Sequence, residues 1–463
     1  MHDDTLDTFK ASLLGEVLPP GVDGYDDARE LWNGMIDRKP ALIARCEGTA
    51  DVIEAVKFAR RHGMSVAVKG GGHSVAGLAS VDDGLMIDLS PMTAVHVDPV
   101  ARRARVQGGA TWAHFDREAQ VFGLATPGGI ISTTGVAGLT LGGGFGWLSR
   151  KHGLTSDNLV SADVVTADGN VARASRKENP DLFWALRGGG GNFGVVTSFE
   201  FQLHDIGPDV LYGPTVYRLE DAAEVLRHYR EFMRSAPKEC TAYVDFLTAP
   251  PLPFLPESEH GEKVLSVIQF HAGSMERGEE VLKPLRDFGN PIGDAVAPTP
   301  YTTAQSMVDT LYAKGAGNYW KSSNLGSLSD GIIDTLIACA AQLPTPQSDI
   351  MIHQLGGAID DLPPNATAYA HRGTGFIVTP GGRWEEPGRE DECIAWVREC
   401  HDALDEHVAA GVYLNFLSRD EEDRLRSAYG GNYERLQQIK AQYDPDNFFH
   451  VNQNIPPLAA GRG

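Results

Sequence analysis

Residues 69–77 read KGGGHSVAG and directly follow the β-branched and apolar run of residues 65–68. Such a run predicts a short buried strand, so the three glycines form a loop at the end of that strand. Backbone N–H groups can approach the pyrophosphate of a dinucleotide closely only where side chains are absent. The segment therefore predicts a loop that binds the phosphates of a dinucleotide, with His73 directly after the glycines.

The spacing of residues in and near the loop argues against a nicotinamide-binding site and against a metal site. The nicotinamide-binding fingerprint requires G-x-G-x-x-G at the start of a helix, whereas residues 74–77 are not helical in pattern. A metal site requires companion ligands, and His62, His96 and His114 show no H-x-x-x-H spacing, so no metal is expected. On the residues alone, His73 can still be a loop histidine held by hydrogen bonds.

Outward from this loop, strand and helix patterns alternate. Residues 42–45 predict a strand, and Thr49 is expected to cap a helix that ends at Gly63. Two more glycine-rich tracts follow, at residues 126–147 and 187–194, with a strand predicted directly after the second. Beyond residue 220 the glycine runs cease, and helical patterns separated by strands, such as residues 350–355, predict a second domain.

The composition excludes several classes of partner. A formal net charge of -22, from 62 acidic and 40 basic residues, would repel nucleic acid and anionic membranes. No apolar run reaches the roughly 20 residues of a membrane helix, and residues 1–10 have no secretory signal pattern, so a cytoplasmic protein is expected. The five cysteines form no C-x-x-C pair and are expected to be reduced.

Taken together, the tracts resemble the berberine bridge enzyme-like FAD-linked oxidoreductases, a branch of the vanillyl-alcohol oxidase superfamily. The resemblance runs from about residue 38 to residue 455 and is closest to bacterial members, such as the 6-hydroxynicotine oxidases and the flavoenzyme of enterocin biosynthesis. It rests on four segments in order: KGGGHSVAG at 69–77, TTGVAGLTLGGGFG at 133–146, LFWALRGGGGNFGVVT at 182–197, and YDPDNFFHVNQNI at 443–455.

The resemblance implies an α+β fold with two lobes. One lobe is a PCMH-type FAD-binding fold of two α/β subdomains, expected over residues 1–205. The other is a substrate domain with an antiparallel sheet covered by helices, expected over residues 206–408. Residues 409–463 are expected to return to the FAD-binding domain as a berberine-like segment.

The resemblance also implies FAD bonded covalently through its 8α carbon to His73. An electron-withdrawing imidazole at that carbon makes the cofactor a stronger oxidant. Many relatives have a cysteine that forms a second bond, but this chain has Ile131 there, so a single bond is expected. The residues expected to bind the cofactor are Gly70, Gly71, Gly72, His73, Ser74, Gly77, Pro127, Gly128, Thr133, Thr134, Gly135, Gly138, Gly142, Gly194, Val195, Asn452 and Asn454.

On the substrate side, two catalytic groups of plant relatives are replaced. Phe416 stands where a tyrosine ends the family motif, and Val378, in a strand expected from His371, stands at the position of an acid. His353, Tyr413 and Thr134 are the expected catalytic residues, with Thr134 at the family position that controls access of dioxygen. Asp245, Tyr243 and Gln354 remain further candidates for the wall of the pocket.

The expected function is that of an oxidase acting on a small organic substrate, with dioxygen as the electron acceptor and hydrogen peroxide as product. The resemblance leaves open a flavin-N5-oxide oxygenase that acts on a polyketide-like substrate. A third possibility is a flavoprotein that only stores or senses flavin. A monomer or homodimer is expected.

Overall fold

The computed structural model describes residues 3–405 and 411–458, which form two lobes joined along one cavity. The α+β class expected from the sequence is confirmed, since parallel and antiparallel sheets occur together with helices. The strands of the first lobe are β1 (Glu16–Leu18), β2 (Leu42–Arg45), β3 (Val66–Lys69), β4 (Leu85–Asp88), β5 (Val95–Asp98), β6 (Arg103–Gln107), β7 (Leu124–Ala125), β8 (Leu159–Val165), β9 (Val171–Ser175), β10 (Val195–Gln202) and β11 (His204–Asp205). Its helices are α1 (Asp3–Ser12), α2 (Tyr25–Arg29), α3 (Thr49–His62), α4 (Trp112–Gln120), α5 (Val136–Leu141), α6 (Ser149–His152) and α7 (Pro180–Ala185).

The first lobe contains two principal sheets. A four-stranded sheet has the order β1-β2-β4-β3, with β4 parallel to both β2 and β3, and a five-stranded antiparallel sheet has the order β5-β6-β10-β8-β9. Strands β7 and β11 form a separate pair. The glycine loop of residues 70–77 therefore leaves the carboxyl end of a parallel strand, which is where open α/β sheets bind ligands.

Helix α3 forms the crossover between β2 and β3, and its ends follow from its sequence. Gly63 ends the helix with φ of 62°, a left-handed conformation that glycine adopts without steric cost, as expected. The predicted N-terminal cap is wrong by one position, because Thr49 is already the first helical residue. Gly48 precedes it with an extended backbone and has no side chain to form a capping bond.

The second lobe is built on one nine-stranded sheet. Its strands are β12 (Asp209–Arg218), β13 (Cys240–Thr248), β14 (Lys263–His271), β15 (Gly293–Asp294), β16 (Ala297–Pro300), β17 (Gly317–Trp320), β18 (Ser323–Leu325), β19 (Asp349–Gln354) and β20 (Phe376–Trp384). The principal order is β15-β12-β14-β13-β19-β20-β17, and the pairs between these strands are antiparallel. The helices are α8 (Ala222–Ser235), α9 (Met275–Arg286), α10 (Tyr301–Ser306), α11 (Asp330–Ala340) and α12 (Glu390–Asp405).

The two faces of this sheet have different surroundings because side chains alternate along each strand. On β19, Ile350 and Ile352 belong to the hydrophobic core formed with α8, α11 and α12. Asp349, Met351 and His353 point to the opposite face and line the cavity between the lobes. One face of the sheet therefore packs in the hydrophobic core, and the other face lines the cavity.

Residues 411–458 pack against the first lobe and contain α13 (Leu425–Tyr429) and α14 (Tyr433–Tyr443). Leu436 and Ile455 join the core beneath α4 and β10, while Phe449 joins the core beneath α3. The fully buried Lys440 ammonium donates to Asp444 Oδ2 at 2.6 Å and to the backbone oxygens of Asn192 and Phe449. These bonds fasten the last described segment to the third glycine tract.

The domain limits expected at residues 205/206 and 408/409 stay predictions, and the second falls outside the described residues. Among the helices of the described ranges, none is long and apolar enough to cross a membrane.

Candidate active site

A cavity of about 370 Å³ lies between the lobes and is lined mainly by apolar side chains and glycine backbone. The first lobe contributes all three glycine tracts, and the second contributes the open face of its sheet. Aromatic side chains surround the space between them: Trp32, Phe145, Tyr312, Trp320, Tyr413 and Phe416. The cavity thus joins the predicted phosphate loop to the face of β19 and β20.

The first two glycine tracts pack backbone against backbone. A Cβ atom on Gly71 would lie 2.4 Å from the backbone nitrogen of Gly135, and one on Gly135 would lie 2.5 Å from that of Gly71. Such distances are shorter than any van der Waals contact, so neither position accepts a side chain without a shift of the backbone. This close approach explains why both tracts require glycine and brings them to one wall of the cavity.

Other glycines leave the cavity wall bare. Gly138 and Gly191 both line the cavity, and a Cβ atom at either position would have no neighbour within 4 Å. At the same wall, Asn452 Oδ1 is buried without a hydrogen-bond partner among the described residues. Exposed backbone and an unpaired polar atom fit a bound dinucleotide such as FAD.

His73 lies at the edge of this wall and is half-buried. Its ring stacks on Trp32, with centroids 5.1 Å apart, and its Nε2 and Nδ1 atoms lie 3.0 Å and 3.4 Å from the hydroxyls of Thr133 and Thr134. No carboxylate contributes to its titration, and burial lowers the pKa of His73 to about 4. The imidazole is therefore neutral at physiological pH, with a lone pair available for bonding.

The predicted cofactor residues divide into two groups by position. Those in the cavity wall are Gly70, Gly71, Gly72, His73, Ser74, Thr134, Gly135, Gly138, Gly194, Val195 and Asn452. Those outside it are Gly77, Pro127, Gly128, Thr133, Gly142 and Asn454.

Most residues of the second group have a structural reason for their identity. Gly77 turns the chain with φ of 71°. A Cβ atom on Gly128 would lie 2.8 Å from the Trp112 ring, and one on Gly142 would lie 2.1 Å from Asn415 Oδ1. Thr133 contacts His73 instead of the open cavity.

Tyr413 is oriented by two donors. Its hydroxyl oxygen accepts a hydrogen bond from the Gly144 backbone N–H at 3.1 Å and one from Asn415 Nδ2 at 2.9 Å. Burial raises the pKa of Tyr413 to about 12, so the phenol is not ionised at neutral pH. Because both acceptor positions are used, the phenolic proton is free to be donated elsewhere.

His353 lines the cavity on β19 but is packed among aromatic rings. The ring centroids of Tyr243, Phe145 and Phe416 lie 5.0, 5.1 and 5.8 Å from that of His353. Its Nδ1 atom is buried without a hydrogen-bond partner among the described residues, and burial lowers the pKa of His353 to about 3. A group that resists protonation so strongly is a poor proton acceptor near neutral pH.

This depressed pKa predicts a pH-dependent contribution to stability. An unfolded histidine takes up a proton near pH 6.5, whereas folded His353 does so only near pH 3. Below pH 6.5 the unfolded state therefore binds more protons, and His353 lowers the free energy of unfolding by about 1.4 kcal/mol for each pH unit. We expect His353→Asn to lose less stability than the wild type as the pH falls from 6.5 to 4.5.

Thermal unfolding midpoints of both proteins across this range would measure the difference. His96 is exposed, so His96→Asn serves as the matched control and should follow the wild type. Parallel pH curves for the wild type and His353→Asn would contradict the predicted burial of a neutral imidazole.

Only some of the other predicted substrate-side residues line the cavity. Thr134 and Phe416 lie in the cavity wall. Gln354 lies outside it, with its Oε1 atom accepting a hydrogen bond from buried Arg150 at 2.8 Å. Tyr243 and Asp245 share the sheet face of His353 but lie behind the lining residues, where Tyr243 stacks on Trp147 with centroids 4.8 Å apart.

The start predicted for the strand that contains Val378 is wrong. The strand begins at Phe376 and not at His371, whose ring hydrogen-bonds to the backbone oxygens of Ser427 and Ala428. Val378 points into the helix-covered core, and its neighbour Thr379 faces the cavity. The side chain at the position nearest the expected acid is therefore a threonine hydroxyl.

Two polar residues of the site were not among the predictions. Asp349 lies two positions before Met351 on the cavity face of β19, and its Oδ2 atom accepts a hydrogen bond from the hydroxyl of Tyr312. Burial raises the pKa of Asp349 to about 7. The alternation of residues 349, 351 and 353 could have indicated Asp349 once His353 was assigned to the cavity.

Within the described ranges, no group of three or more histidine, cysteine or acidic residues is arranged to hold a metal ion.

Comparison with known proteins agrees with this geometry. Residues 40–175 match the family model described as FAD binding domain, and residues 412–456 match the one described as berberine and berberine like. An FAD-linked oxidoreductase of Bacillus subtilis is 31% identical over 459 residues, covering 97% of this chain and 98% of the relative. The (R)-6-hydroxynicotine oxidase of Paenarthrobacter nicotinovorans is 31% identical, covering 96% and 97%.

The crystal structure of 6-hydroxy-D-nicotine oxidase from Arthrobacter nicotinovorans superimposes with a TM-score of 0.86 at 29% identity. That alignment covers 96% of this chain and 99% of the other. The similarity therefore extends over both lobes and includes all walls of the cavity.

Proposed function

The chain belongs to the berberine bridge enzyme-like FAD-linked oxidoreductases, and from this premise we propose that it is an oxidase with FAD bonded once, through His73. Its substrate is a small organic molecule, in keeping with secondary metabolism. Bound FAD would supply a hydride acceptor at N5 and a route for the electron pair to dioxygen, which would give hydrogen peroxide.

The observation that carries this proposal is the single cavity shared by the bare glycine walls, His73 and the open face of the sheet. A cofactor held by the glycines would extend from Gly138 and Gly191 towards the sheet of the second lobe. A substrate resting on that sheet would then contact the cofactor directly. Storage or sensing of flavin would not require such a second wall.

The state of His73 supports the covalent bond. A nitrogen atom must be unprotonated to form a bond to carbon, and burial keeps this imidazole neutral. Stacking on Trp32 and the neighbouring threonine hydroxyls restrict the ring to one orientation. Ile131 lines the same cavity and has no nucleophilic atom, which supports a single bond.

The side chain of Tyr413 and the aromatic rings around the cavity are suited to binding the substrate. Its phenol retains a proton to donate, so Tyr413 can orient a substrate oxygen or nitrogen atom or a carbonyl of the cofactor. The surrounding rings of Trp320 and Phe416 favour a flat or apolar molecule over a heavily hydroxylated one.

The reaction with dioxygen can be tested without knowing the substrate. After anaerobic reduction with dithionite, mixing with oxygenated buffer should reoxidise the cofactor and release one hydrogen peroxide per flavin. Thr134 lines the cavity where the family controls access of dioxygen, so Thr134→Leu should slow this step at least about tenfold, which corresponds to roughly 1.4 kcal/mol in the barrier.

Thr134→Ser keeps a small hydroxyl side chain and is the matched control, which should react as fast as the wild type. Equal rates for the leucine variant would remove Thr134 from the oxygen path. Oxygen-18 supplied as dioxygen distinguishes the oxygenase alternative, because label in an organic product, and not in peroxide, would replace the oxidase proposal.

A further inference from the structure

Two acidic residues occupy diagonal positions on neighbouring strands of the second lobe, and their side chains are on the sheet face that faces the cavity. Asp245 on β13 stands opposite Met351 on β19, which places it diagonally across from Asp349 on the same face. Neither carboxyl forms an ion pair with any described residue. Like charges so close in an apolar setting cannot both be ionised at low cost.

The two carboxyl groups differ in their surroundings. Asp245 is only 4% exposed, and its Oδ1 atom is buried without a hydrogen-bond partner among the described residues. Burial, followed by the charge of Asp349, raises the pKa of Asp245 well above its ordinary range. Both carboxyl groups are therefore harder to ionise than a solvated one, and the pKa of Asp349 is raised to about 7.

The groups that face Asp349 keep its carboxylate available. The Tyr312 hydroxyl donates a hydrogen bond to Oδ2, and the charge of Arg383 also lowers the pKa of Asp349. Arg383 does not neutralise the carboxylate by an ion pair, since its NH1 and NH2 atoms donate to Asn318 Oδ1 and to the Ala313 backbone oxygen. Among the described residues no hydrogen bond is made to Asp349 Oδ1, and the residue lines the cavity.

We propose that Asp349 is the proton acceptor of the reaction, with Tyr312 and Asp245 as positioning residues. The inference rests on the proposed function and narrows its substrate to molecules with a CH–XH unit, in which X is oxygen or nitrogen. The X–H bond breaks and its proton passes to the Asp349 carboxylate. The C–H bond breaks with its electron pair, which leaves as a hydride to FAD, and a C=X double bond forms.

The geometry favours Asp349 over His353, the acceptor expected from the sequence. His353 is surrounded by three aromatic rings, and no described acid supports a charge on it. Asp349 has a neighbouring hydrogen-bond donor and a pKa close to the working pH, where a general base is most effective.

The number of protons taken up when the holoenzyme is reduced tests this assignment without a substrate. The slope of the flavin midpoint potential against pH counts these protons for each pair of electrons. Hydride-equivalent reduction brings one proton to the cofactor, and the added negative charge raises the pKa of Asp349, so a second proton should bind just above pH 7. The wild type should take up two protons there, and Asp349→Asn only one.

Three further variants test the roles of the residues around Asp349. Tyr312→Phe keeps Asp349 but removes the hydroxyl that donates to it, which raises the pKa of Asp349. The lowest pH at which the second proton comes from Asp349 should therefore rise by roughly one unit. Asp245→Asn places a neutral side chain beside Asp349, so reduction just above pH 7 should still take up two protons. His353→Asn should behave as the wild type does.

Above pH 7, two-proton uptake that persists in Asp349→Asn, or one-proton uptake in the wild type, would overturn the proposal. Loss of two-proton uptake in His353→Asn alone would assign the role to His353. Each of these outcomes is independent of the covalent bond and of oxygen reactivity, which the proposed function requires.

Discussion

Replacement of His73 by alanine should release all of the flavin on denaturation. We expect an acid-precipitated pellet of the wild-type protein to stay yellow and the pellet of His73→Ala to be colourless. The physical reason is that the proposed bond to flavin runs through the neutral imidazole of His73, while Ile131 offers no second attachment atom. Absorbance of the resuspended pellet and of the supernatant measures the bound fraction.

His96→Ala is a suitable control because that side chain is exposed and lies outside the cavity wall. Its pellet should be as yellow as that of the wild type. A yellow pellet from His73→Ala would place the bond on another residue. A colourless pellet from the wild type would show that FAD is held without a covalent bond.

Substitution of Gly138 by leucine should abolish binding of FAD while preserving the fold. A side chain at this position meets no protein atom within 4 Å of its Cβ and enters the cavity instead. Leucine therefore competes with the cofactor for space without disturbing a packed core. We expect the purified variant to be colourless, with a thermal unfolding midpoint close to that of flavin-free protein.

Gly326→Leu provides the matched control, since Gly326 is equally open but lies outside the cavity wall. That variant should retain a full complement of flavin. Normal flavin content in Gly138→Leu would show that the cofactor does not pass over this part of the wall. The comparison also separates loss of the site from the general cost of leucine at a glycine position.

The glycine loops and His73 could be predicted because their information is local. The conformational demands of a close backbone approach appear in the sequence as runs of glycine, and the short segment around residue 73 contains both loop and histidine. Strands such as Leu42–Arg45 were also apparent from a continuous apolar run. The family resemblance then gave the order of these parts along the chain.

The substrate side was harder to predict because it depends on the register of strands. The strand expected from His371 begins only at Phe376, and side chains along it alternate between the two faces of the sheet. Val378 packs in the helix-covered core and its neighbour Thr379 lines the cavity, which no local pattern around these residues indicates. The contact of Tyr312 with Asp349 joins residues 37 positions apart, and no local pattern indicates it.

The closing segment of the chain has a consequence for the order of events during synthesis. Leu436, Phe449 and Ile455 complete hydrophobic cores that began with the first lobe, and Lys440 fastens this segment to the third glycine tract. The cores of the first lobe are therefore incomplete until residues 436–455 have been translated. A chain truncated before residue 436 would therefore expose both incomplete cores to proteases and chaperones.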